Sequence, residues 1–474
     1  MAITAVLGVP YAAPPVGDLR WQAPEPPVSS EPWSTTSFPP APPQPVDGTP
    51  GGATLPGLAL SATDEDCLYL NVWRRDGVRD APVLVWLPGG AFVTGGAGLP
   101  LYDGRHLAAL DVVVVTVTYR VGALGFAAVD GCPPNRGLLD QVAALEWVRD
   151  HVDELGGDPT KITVFGESAG GGSVLPLMAT PAARGLFGRA IVQSGATDYT
   201  LDPDQAASVA DRFVAALDGD RSAPVEAILG AQQEALFAGF AEVGPMPFHP
   251  FVDGDVLAAR PIDALSASDV DLLIGTTRDE MRMFLDPKAA ELDRERLTRR
   301  AARYLESLGA PDGQAEGLVG LYDDDPHLRS PGDVWSAMQT DGEMRRPMHA
   351  LADAHTGSGR STFVYRFDAP LTGALGHLGA CHASDLPYPF GTIEDAGWSD
   401  VVGPGSPGLA RTMQAAWAAF AREADPSCEP LGRWSAYDTG RRTTMLLGER
   451  SQPQDDPNGA RRQRWAELAP MRMA

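Results

Sequence analysis

The chain has 474 residues, of which 44% are hydrophobic and 21% charged, so it can bury a large core and does not have the composition of a disordered protein. Its formal net charge of −25 disfavours nucleic acid and anionic membrane surfaces as partners. No apolar run approaches the roughly 18 residues of a membrane span, and four cysteines are too few for a disulfide scaffold, which fits a reducing cytoplasm.

The predicted elements alternate between strands and helices. Proline is frequent in the first 60 residues, so we expect extended surface structure there and no helix. Apolar residues at helical spacing predict a helix from Leu138 to Leu155 and a late amphipathic helix from Leu409 to Phe420. Short apolar runs rich in β-branched residues predict strands at 68–73, 83–87, 112–115, 161–165, 189–192, 270–274 and 363–367.

Two long segments, at about 200–265 and 285–360, are helical in pattern and richer in charge. We interpret them as cap-like insertions that lie over the sheet. The chain has no internal repeat and no linker long enough to divide it. Residues 1–474 are therefore predicted to form a single α/β domain, with a mostly parallel central sheet flanked by helices.

A Gly-x-Ser-x-Gly pentapeptide at 166–170 joins the strand at 161–165 to a stretch that can open a helix. A sharp strand-to-helix turn of this kind holds its serine in a strained, exposed position, which makes Ser168 a candidate nucleophile. The adjacent helix N-terminus favours negative charge on a neighbouring oxygen. The pentapeptide alone could equally be an inert glycine-rich loop, so the prediction depends on its setting between strand and helix.

A serine nucleophile needs an acid and a base, which follow it in that order in folds with this turn. Asp279 and Glu280 are the candidates for the acid, because they follow a predicted strand and carboxyl ends of parallel strands form functional edges. For the base, His382 lies in a small-residue loop after another strand, and His377 is its rival. Any of these side chains could instead be an ordinary solvated group.

A glycine-rich turn at 86–92 directly follows a predicted strand. Its backbone N–H groups could join that of Ala169 in an oxyanion hole. A zinc site of His377, Cys381 and His382 is disfavoured, because adjacent ligands at 381 and 382 fit no common zinc spacing. We therefore predict neither a metal site nor a cofactor.

Further motifs extend over nearly the whole chain, at 8–17, 65–72, 119–122, 137–141, 156–159 and 417–426. Together with the pentapeptide they resemble the type-B carboxylesterases, the cholinesterase-like branch of the α/β-hydrolases that includes bacterial para-nitrobenzyl esterases. The resemblance implies an α/β-hydrolase fold with helical cap insertions.

The resemblance also implies roles for individual residues. It implies a catalytic triad of nucleophile, acid and base at Ser168, Glu280 and His382. It implies an oxyanion hole formed by the backbone N–H groups of Gly90, Ala91 and Ala169. Two residues match positions that support the triad, and these are Glu167 and Ser194. Activity should then fall as His382 protonates, near its reference pKa of about 6.5.

The sequence departs from the family pattern in three places. Pro88 replaces the histidine that usually opens the oxyanion turn, and we expect the donors two and three residues later to be retained. Pro42 replaces a cysteine that often pairs with the one at Cys67, so Cys67 should be a free thiol. The chain starts at what looks like the family's second strand, so a preceding hairpin is expected to be missing.

Charged residues within apolar or glycine-rich family motifs are seldom buried without partners. The resemblance pairs Arg20 with Glu65 and Arg120 with Asp140. The alternative is that all four side chains are solvated.

The function implied is that of a serine carboxylesterase, which hydrolyses small-molecule carboxylic esters through an acyl-enzyme. We expect a monomer that requires no cofactor and binds neither nucleic acid nor membrane. Carbamate hydrolysis or acyl transfer by the same triad remains an alternative, because pocket shape selects the acceptor. A non-catalytic binding protein on this fold is a further alternative, disfavoured because all three triad positions are filled.

Overall fold

A computed structural model describes residues 2–27, 37–45, 55–60, 62–195, 200–244 and 246–468, with the backbone alone for 240–242, 287 and 290. The strands within these residues are β1 (Ile3–Pro10), β2 (Tyr69–Arg75), β3 (Ala81–Leu87), β4 (Val113–Val117), β5 (Gly157–Glu167), β6 (Arg189–Gln193), β7 (Asp271–Thr277), β8 (Thr362–Phe367), β9 (Thr443–Leu447) and β10 (Gln452–Asp455).

These strands form one sheet in the order β1-β2-β4-β3-β5-β6-β7-β8-β9-β10. The strands from β4 to β9 in this order are parallel to their neighbours. The antiparallel pairings lie at the edges, where β1 and β2 precede β4 and where β10 follows β9. The prediction of a mostly parallel sheet is confirmed.

Helices connect the strands and cover both faces of the sheet. Those of the described residues are α1 (Arg105–Ala108), α2 (Gly122–Phe126), α3 (Arg136–His151), α4 (Ala169–Ala179), α5 (Pro203–Ala216), α6 (Val225–Val243), α7 (Pro261–Ala264), α8 (Arg294–Ser307), α9 (Ala315–Gly320), α10 (Pro331–Gln339), α11 (Arg346–His355), α12 (Pro387–Phe390), α13 (Ser406–Glu423) and α14 (Gly459–Leu468). A π-helical turn, Thr340–Arg345, joins α10 to α11. No helix in the described part of the chain is long and apolar enough to cross a membrane.

The core lies on both faces of the sheet because successive side chains of a strand point in opposite directions. In β4, Val113 and Val115 pack on the face covered by α3 and α4. Val114 packs on the other face, with Met413 of α13. This explains why the central strands are continuous apolar runs rather than alternating ones.

All seven strands predicted from the sequence are present, and α13 contains the predicted late helix. The earlier helix was predicted too long, since α3 ends at His151. Val152 and Leu155 are buried in the turn that follows it, so they continue the apolar pattern without continuing the helix. The strands β1, β9 and β10 were not among those predicted from apolar runs. The edge strand β10 is polar and exposed, so it carries no apolar signal.

The expectation of surface structure throughout the first 60 residues is wrong for Ala41 to Gln44, which are buried. The Gln44 side chain donates to the Gly95 carbonyl at 2.8 Å and accepts from the Gly95 N–H at 2.7 Å. This amide satisfies both backbone groups of Gly95, which lies in the loop that follows β3, and the segment can therefore be buried against that loop.

Both predicted ion pairs are confirmed. Arg20 Nε lies 2.6 Å from Glu65 Oε1, and both side chains are about 15% exposed. Arg120 Nη2 lies 2.6 Å from Asp140 Oδ1, with 2% and 0% of the side chains exposed. The Arg120 pair is bidentate, because its Nε also donates to Asp140 Oδ2 at 2.8 Å. This pair ties the loop after β4 to α3.

Candidate active site

The Gly-x-Ser-x-Gly sequence forms a tight turn between β5 and α4. Ser168 has φ 56° and ψ −125°, a strained conformation for a residue other than glycine. Its N–H donates to the Gln193 carbonyl at 2.9 Å, which fixes the turn against β6. A Cβ on Gly170 would lie 2.0 Å from the Leu87 carbonyl oxygen, so only glycine fits between this turn and β3. The serine side chain is partly exposed, as an attacking group must be.

A continuous chain of hydrogen bonds leads from Ser168 to a buried carboxylate. The Ser168 Oγ lies 2.8 Å from His382 Nε2, and His382 Nδ1 lies 2.7 Å from Glu280 Oε2. Glu280 begins a short 3₁₀ turn after β7, and His382 lies in the loop after β8. The structure thus brings together the three residues that the resemblance selected.

Glu280 is held by two further donors on its other oxygen. Ser194 Oγ donates to Glu280 Oε1 at 2.6 Å, and the Thr277 N–H donates to the same atom at 2.7 Å. The carboxyl group is fully buried. These bonds fix its rotamer so that Oε2 faces His382. Ser194, selected from sequence as a supporting residue, therefore contacts the carboxylate directly.

The rival candidates have other partners. Asp279 pairs with Arg278 at 2.8 Å and accepts the Ala380 N–H at 2.9 Å. The ring of the exposed His377 lies 3.2 Å from the Ala374 carbonyl. Asp279 therefore joins the Glu280 turn to the loop that carries His382, and neither rival contacts Ser168.

Glu167 lies beside the histidine, with its Oε1 3.3 Å from His382 Nε2. Burial raises the pKa of the Glu167 carboxyl to about 8, although the charge of His382 opposes the shift. Burial also disfavours the imidazolium, but the carboxylates of Glu167 and Glu280 outweigh it and raise the pKa of His382 to about 9. The site therefore favours a positive charge on His382.

The turn after β3 has positive φ at successive residues. Gly90 has φ 126° and Ala91 φ 53°. The Gly90 carbonyl accepts the N–H groups of Val93 and Thr94, at 3.0 and 2.9 Å. Within the described residues, the N–H groups of Gly90, Ala91 and Ala169 have no acceptor, so all three are available to an oxygen of a bound molecule.

Other contacts hold the turn in the place of the absent family histidine. Tyr119 donates its hydroxyl to the Pro88 carbonyl at 2.7 Å. The Gly122 N–H donates to the Phe92 carbonyl at 2.6 Å. Pro88 has no N–H that would need an acceptor, and its carbonyl accepts the hydrogen bond from Tyr119.

Sequence reasoning did not select two residues that lie close to this site. Phe284 is 41% exposed, and its ring centroid lies 5.3 Å from that of His382. Asp385 is fully buried, and its Oδ2 accepts from Gln193 Nε2 at 3.1 Å. A carboxylate three residues after His382 in an otherwise small, apolar loop was a signal that could have found Asp385. Among the described residues, no group of three or more His, Cys, Asp or Glu side chains is arranged to hold a metal ion.

A strained serine between strand and helix, linked through histidine to a buried carboxylate at the edge of a parallel sheet, defines the α/β-hydrolase class of serine hydrolases. Comparison with known families matches residues 2–465 to the Carboxylesterase family. The chain belongs to this family and is a carboxylic ester hydrolase.

Similar proteins match along almost their whole length. The chain is 38% identical to the para-nitrobenzyl esterase of Bacillus subtilis, covering 96% of this chain and 94% of that protein. It is 33% identical to the phenmedipham hydrolase of Pseudarthrobacter oxydans, covering 93% and 91% respectively. A solved PNB esterase structure superposes with a TM-score of 0.84 at 37% identity, covering 99% of this chain and 96% of the other.

Proposed function

We propose that Ser168, His382 and Glu280 are the nucleophile, base and acid of a serine carboxylesterase. The observation that carries this proposal is the unbroken hydrogen-bonded chain from Ser168 Oγ through His382 to Glu280. Glu280 holds the imidazole in the tautomer whose Nε2 can accept a proton. The two further bonds to Glu280 Oε1 keep the carboxylate from turning away.

In the first half of the reaction, Ser168 Oγ bonds to the ester carbonyl carbon and its proton passes to His382 Nε2. The carbonyl oxygen becomes an oxyanion, which accepts hydrogen bonds from the N–H groups of Gly90, Ala91 and Ala169. Collapse of the tetrahedral intermediate breaks the bond to the alcohol oxygen. His382 gives its proton to that oxygen, the alcohol leaves, and the acyl group remains on Ser168.

In the second half, water attacks the acyl carbon while His382 accepts one of its protons. The second intermediate collapses with release of the carboxylic acid, and His382 returns the proton to Ser168. Every bond and proton is accounted for by the ester, the water and these side chains.

We further propose that the segments at about 200–265 and 285–360 act as caps on one domain and select the substrate. They insert α5 to α7 between β6 and β7, and α8 to α11 between β7 and β8. Phe284 supports this proposal, since its half-exposed ring beside His382 offers an apolar surface to one side of a small ester. The para-nitrobenzyl esters named for the bacterial relative are the first substrates to test.

The protein is also proposed to act as a cytoplasmic monomer. All four cysteines are unpaired in the structure, and the chain carries a net charge of −25, which opposes self-association. Sedimentation equilibrium tests the monomer, and a stable dimer at micromolar concentration would contradict it.

The proposed roles predict a specific ranking of variants. Ser168→Ala and His382→Ala should lower kcat by roughly four to six orders of magnitude, and Glu280→Gln by less, because the oxyanion hole and binding remain. His377→Ala is the control and should remain close to wild type. The measurement is the steady-state hydrolysis of a p-nitrobenzyl ester. An active His382→Ala with an inactive His377→Ala would overturn the assignment of the base.

An organophosphonate tests the oxyanion hole and the nucleophile together. It should modify Ser168 once, and the phosphonyl oxygen should lie about 2.7–3.1 Å from the nitrogens of Gly90, Ala91 and Ala169. Carbonyl groups of the turn directed at that oxygen would exclude the proposed hole. Product analysis with added alcohols separates hydrolysis from acyl transfer.

A further inference from the structure

A second pocket lies outside the proposed catalytic site, where α14 packs against the π-helical turn and α11. Its lining is dominated by cationic side chains, although the chain as a whole is strongly acidic. The titratable residues that line it are Asp341, Arg345, Arg346, His349, Arg461 and Arg462.

Three of the four arginines are neutralised by carboxylates. The pairs are Arg345 with Asp341, Arg461 with Asp325 and Arg462 with Asp456. Arg346 has no carboxylate partner among the described residues. Its guanidinium lies over the Trp465 ring, 5.8 Å from the centroid, so that an aromatic face is its main neighbour. The pocket therefore has one uncompensated positive charge.

Several hydrogen-bond donors in this cluster are buried without an acceptor. They are Arg345 Nε, Arg346 Nε and Arg346 Nη1, joined by His349 Nδ1 in the tautomer that carries the proton there. Arg345 is only 8% exposed and His349 only 5%, so bulk water does not readily satisfy them. Unsatisfied buried donors are rare in folded proteins and costly, and a group of four at one place requires an explanation.

The pocket disfavours a further positive charge. Burial, reinforced by the charge of Arg345, lowers the pKa of His349 to about 4. Each oxygen of Asp341 already accepts one hydrogen bond, Oδ1 from Arg345 and Oδ2 from the Tyr322 hydroxyl at 2.7 Å. A water molecule here would find donors for its oxygen but few acceptors for its protons.

We propose that this pocket binds a compact monovalent anion such as chloride, held by Arg346, Arg345 and His349. The pocket has room for a water-sized ion beside these donors. The single negative charge of such an ion matches the unpaired guanidinium of Arg346. The ion accepts hydrogen bonds and donates none, which suits a site whose groups mainly donate them.

The anion would also support the loop that carries Glu280. Arg345 Nη2 donates to the carbonyls of Arg278 at 2.9 Å and Thr277 at 3.4 Å. The Thr277 N–H in turn holds Glu280. Filling the pocket should therefore stabilise the folded protein without any contact with the substrate.

The test is thermal unfolding in sodium chloride and in sodium gluconate at equal ionic strength. Wild type should unfold at a higher midpoint in chloride, with a rise that saturates and reaches roughly 1–3 °C at about ten times the dissociation constant. Arg346→Met should lose this difference. Arg300→Met is the matched control. Arg300 also lies over a tryptophan ring, that of Trp335, but it is not among the residues that line this pocket. It should keep the difference.

Crystals of the wild-type protein grown with sodium bromide give a second readout that does not depend on a folded variant. An anomalous peak is expected between Arg346 and His349. Density for a water without anomalous signal would overturn the proposal. So would a chloride effect that Arg346→Met retains, or identical midpoints in the two salts.

Discussion

At the scale of single residues, the main feature is the number of carboxylates around one imidazole. Glu167 and Glu280 contact His382, and Asp385 lies buried nearby, where burial, reinforced by the charge of Glu280, raises the pKa of Asp385 to about 6. These charges stabilise the imidazolium formed when the proposed base accepts a proton. They also make the neutral imidazole, which is the form able to accept it, less available at low pH.

The acid limb of the pH–rate profile should therefore be centred at a higher pH than the value of about 6.5 expected from the sequence. Only neutral His382 accepts the Ser168 proton, so kcat/KM falls as the pH drops through the pKa of His382. Because the neighbouring carboxylates raise that pKa, the fall should be centred above pH 6.5. Glu167→Gln removes one of the charges responsible. It should lower the apparent pKa by roughly one unit or more, since a charge within about 4–6 Å typically shifts a pKa by 1–3 units.

The measurement is kcat/KM from about pH 5 to about pH 10 for wild type and for Glu167→Gln. Glu146→Gln, an exposed change on α3, is the control and should leave the profile unchanged. An acid limb near pH 6.5 in wild type, or one that Glu167→Gln does not move, would contradict this account of the electrostatics.

The Arg120–Asp140 pair permits a second prediction at this scale. Asp140→Asn leaves the buried guanidinium without its counter-charge and should lower the free energy of unfolding by about 3–5 kcal/mol. The double variant Arg120→Met/Asp140→Leu should lose less, because no buried charge remains. Asp150→Asn removes the partner of Arg149 in an exposed pair and should change little. Urea unfolding measures all four proteins, and equal losses from Asp140→Asn and Asp150→Asn would refute the argument.

At the scale of elements, the site depends on how closely the turn after β5 approaches the end of β3. The turn that carries Ser168 and the turn that carries Gly90 and Ala91 are both built from small residues. A Cβ on Gly89 would lie 2.6 Å from the Glu167 carbonyl oxygen, so the two turns are in contact. The proposed oxyanion hole of Gly90, Ala91 and Ala169 depends on this approach.

Gly170→Ala tests this approach. The added methyl group would lie 2.0 Å from the Leu87 carbonyl oxygen, so the turn must move away from β3. We expect a loss of stability of about 1–3 kcal/mol, typical of overpacking, and a larger fractional loss of kcat than of substrate affinity. Gly230→Ala, at an exposed position of α6 where a Cβ meets nothing within 4 Å, is the matched control. It should be neutral or slightly stabilising. A fully active Gly170→Ala would show that the spacing of the two turns is not critical.

At the scale of the whole molecule, the sheet order explains why distant residues meet. β3, β5, β6, β7 and β8 are consecutive and parallel, so their carboxyl ends lie along one edge. These ends carry, in turn, the glycine-rich turn, Ser168, Ser194, Glu280 and His382. Parallel strands in this order place Ser168 and His382 at one edge although they are 214 positions apart in the chain.

A further prediction at this scale concerns the oxidation state of the cysteines. Cys67 and Cys381 are fully buried, and none of the four cysteines is paired. Thiol titration of the denatured, unreduced protein should therefore find four free thiols. Finding two would indicate a disulfide and an oxidising compartment, and the proposal of a cytoplasmic location would fail.

The sequence by itself determined the local features. Apolar runs predicted seven strands because a strand buried on both faces has no polar positions, whereas β10, polar and exposed, left no such signal. The Gly-x-Ser-x-Gly turn was predictable because its conformation demands glycine at fixed spacing. The resemblance to a known family added the two ion pairs and a preference for Glu280 and His382 over their neighbours.

Only the tertiary structure decided which of two adjacent carboxylates faces the histidine. Asp279 and Glu280 are adjacent and chemically alike, yet one bonds to the backbone of Ala380 and the other to His382. The effect of Glu167 on the pKa of His382 could likewise not be predicted from the sequence. It depends on burial and on the distance of 3.3 Å between Glu167 Oε1 and His382 Nε2. Sequence patterns specify which groups are present and how the nearby backbone turns. Distances between groups hundreds of positions apart arise only when strands assemble in a particular order, and hydrogen bonds and pKa values depend on those distances.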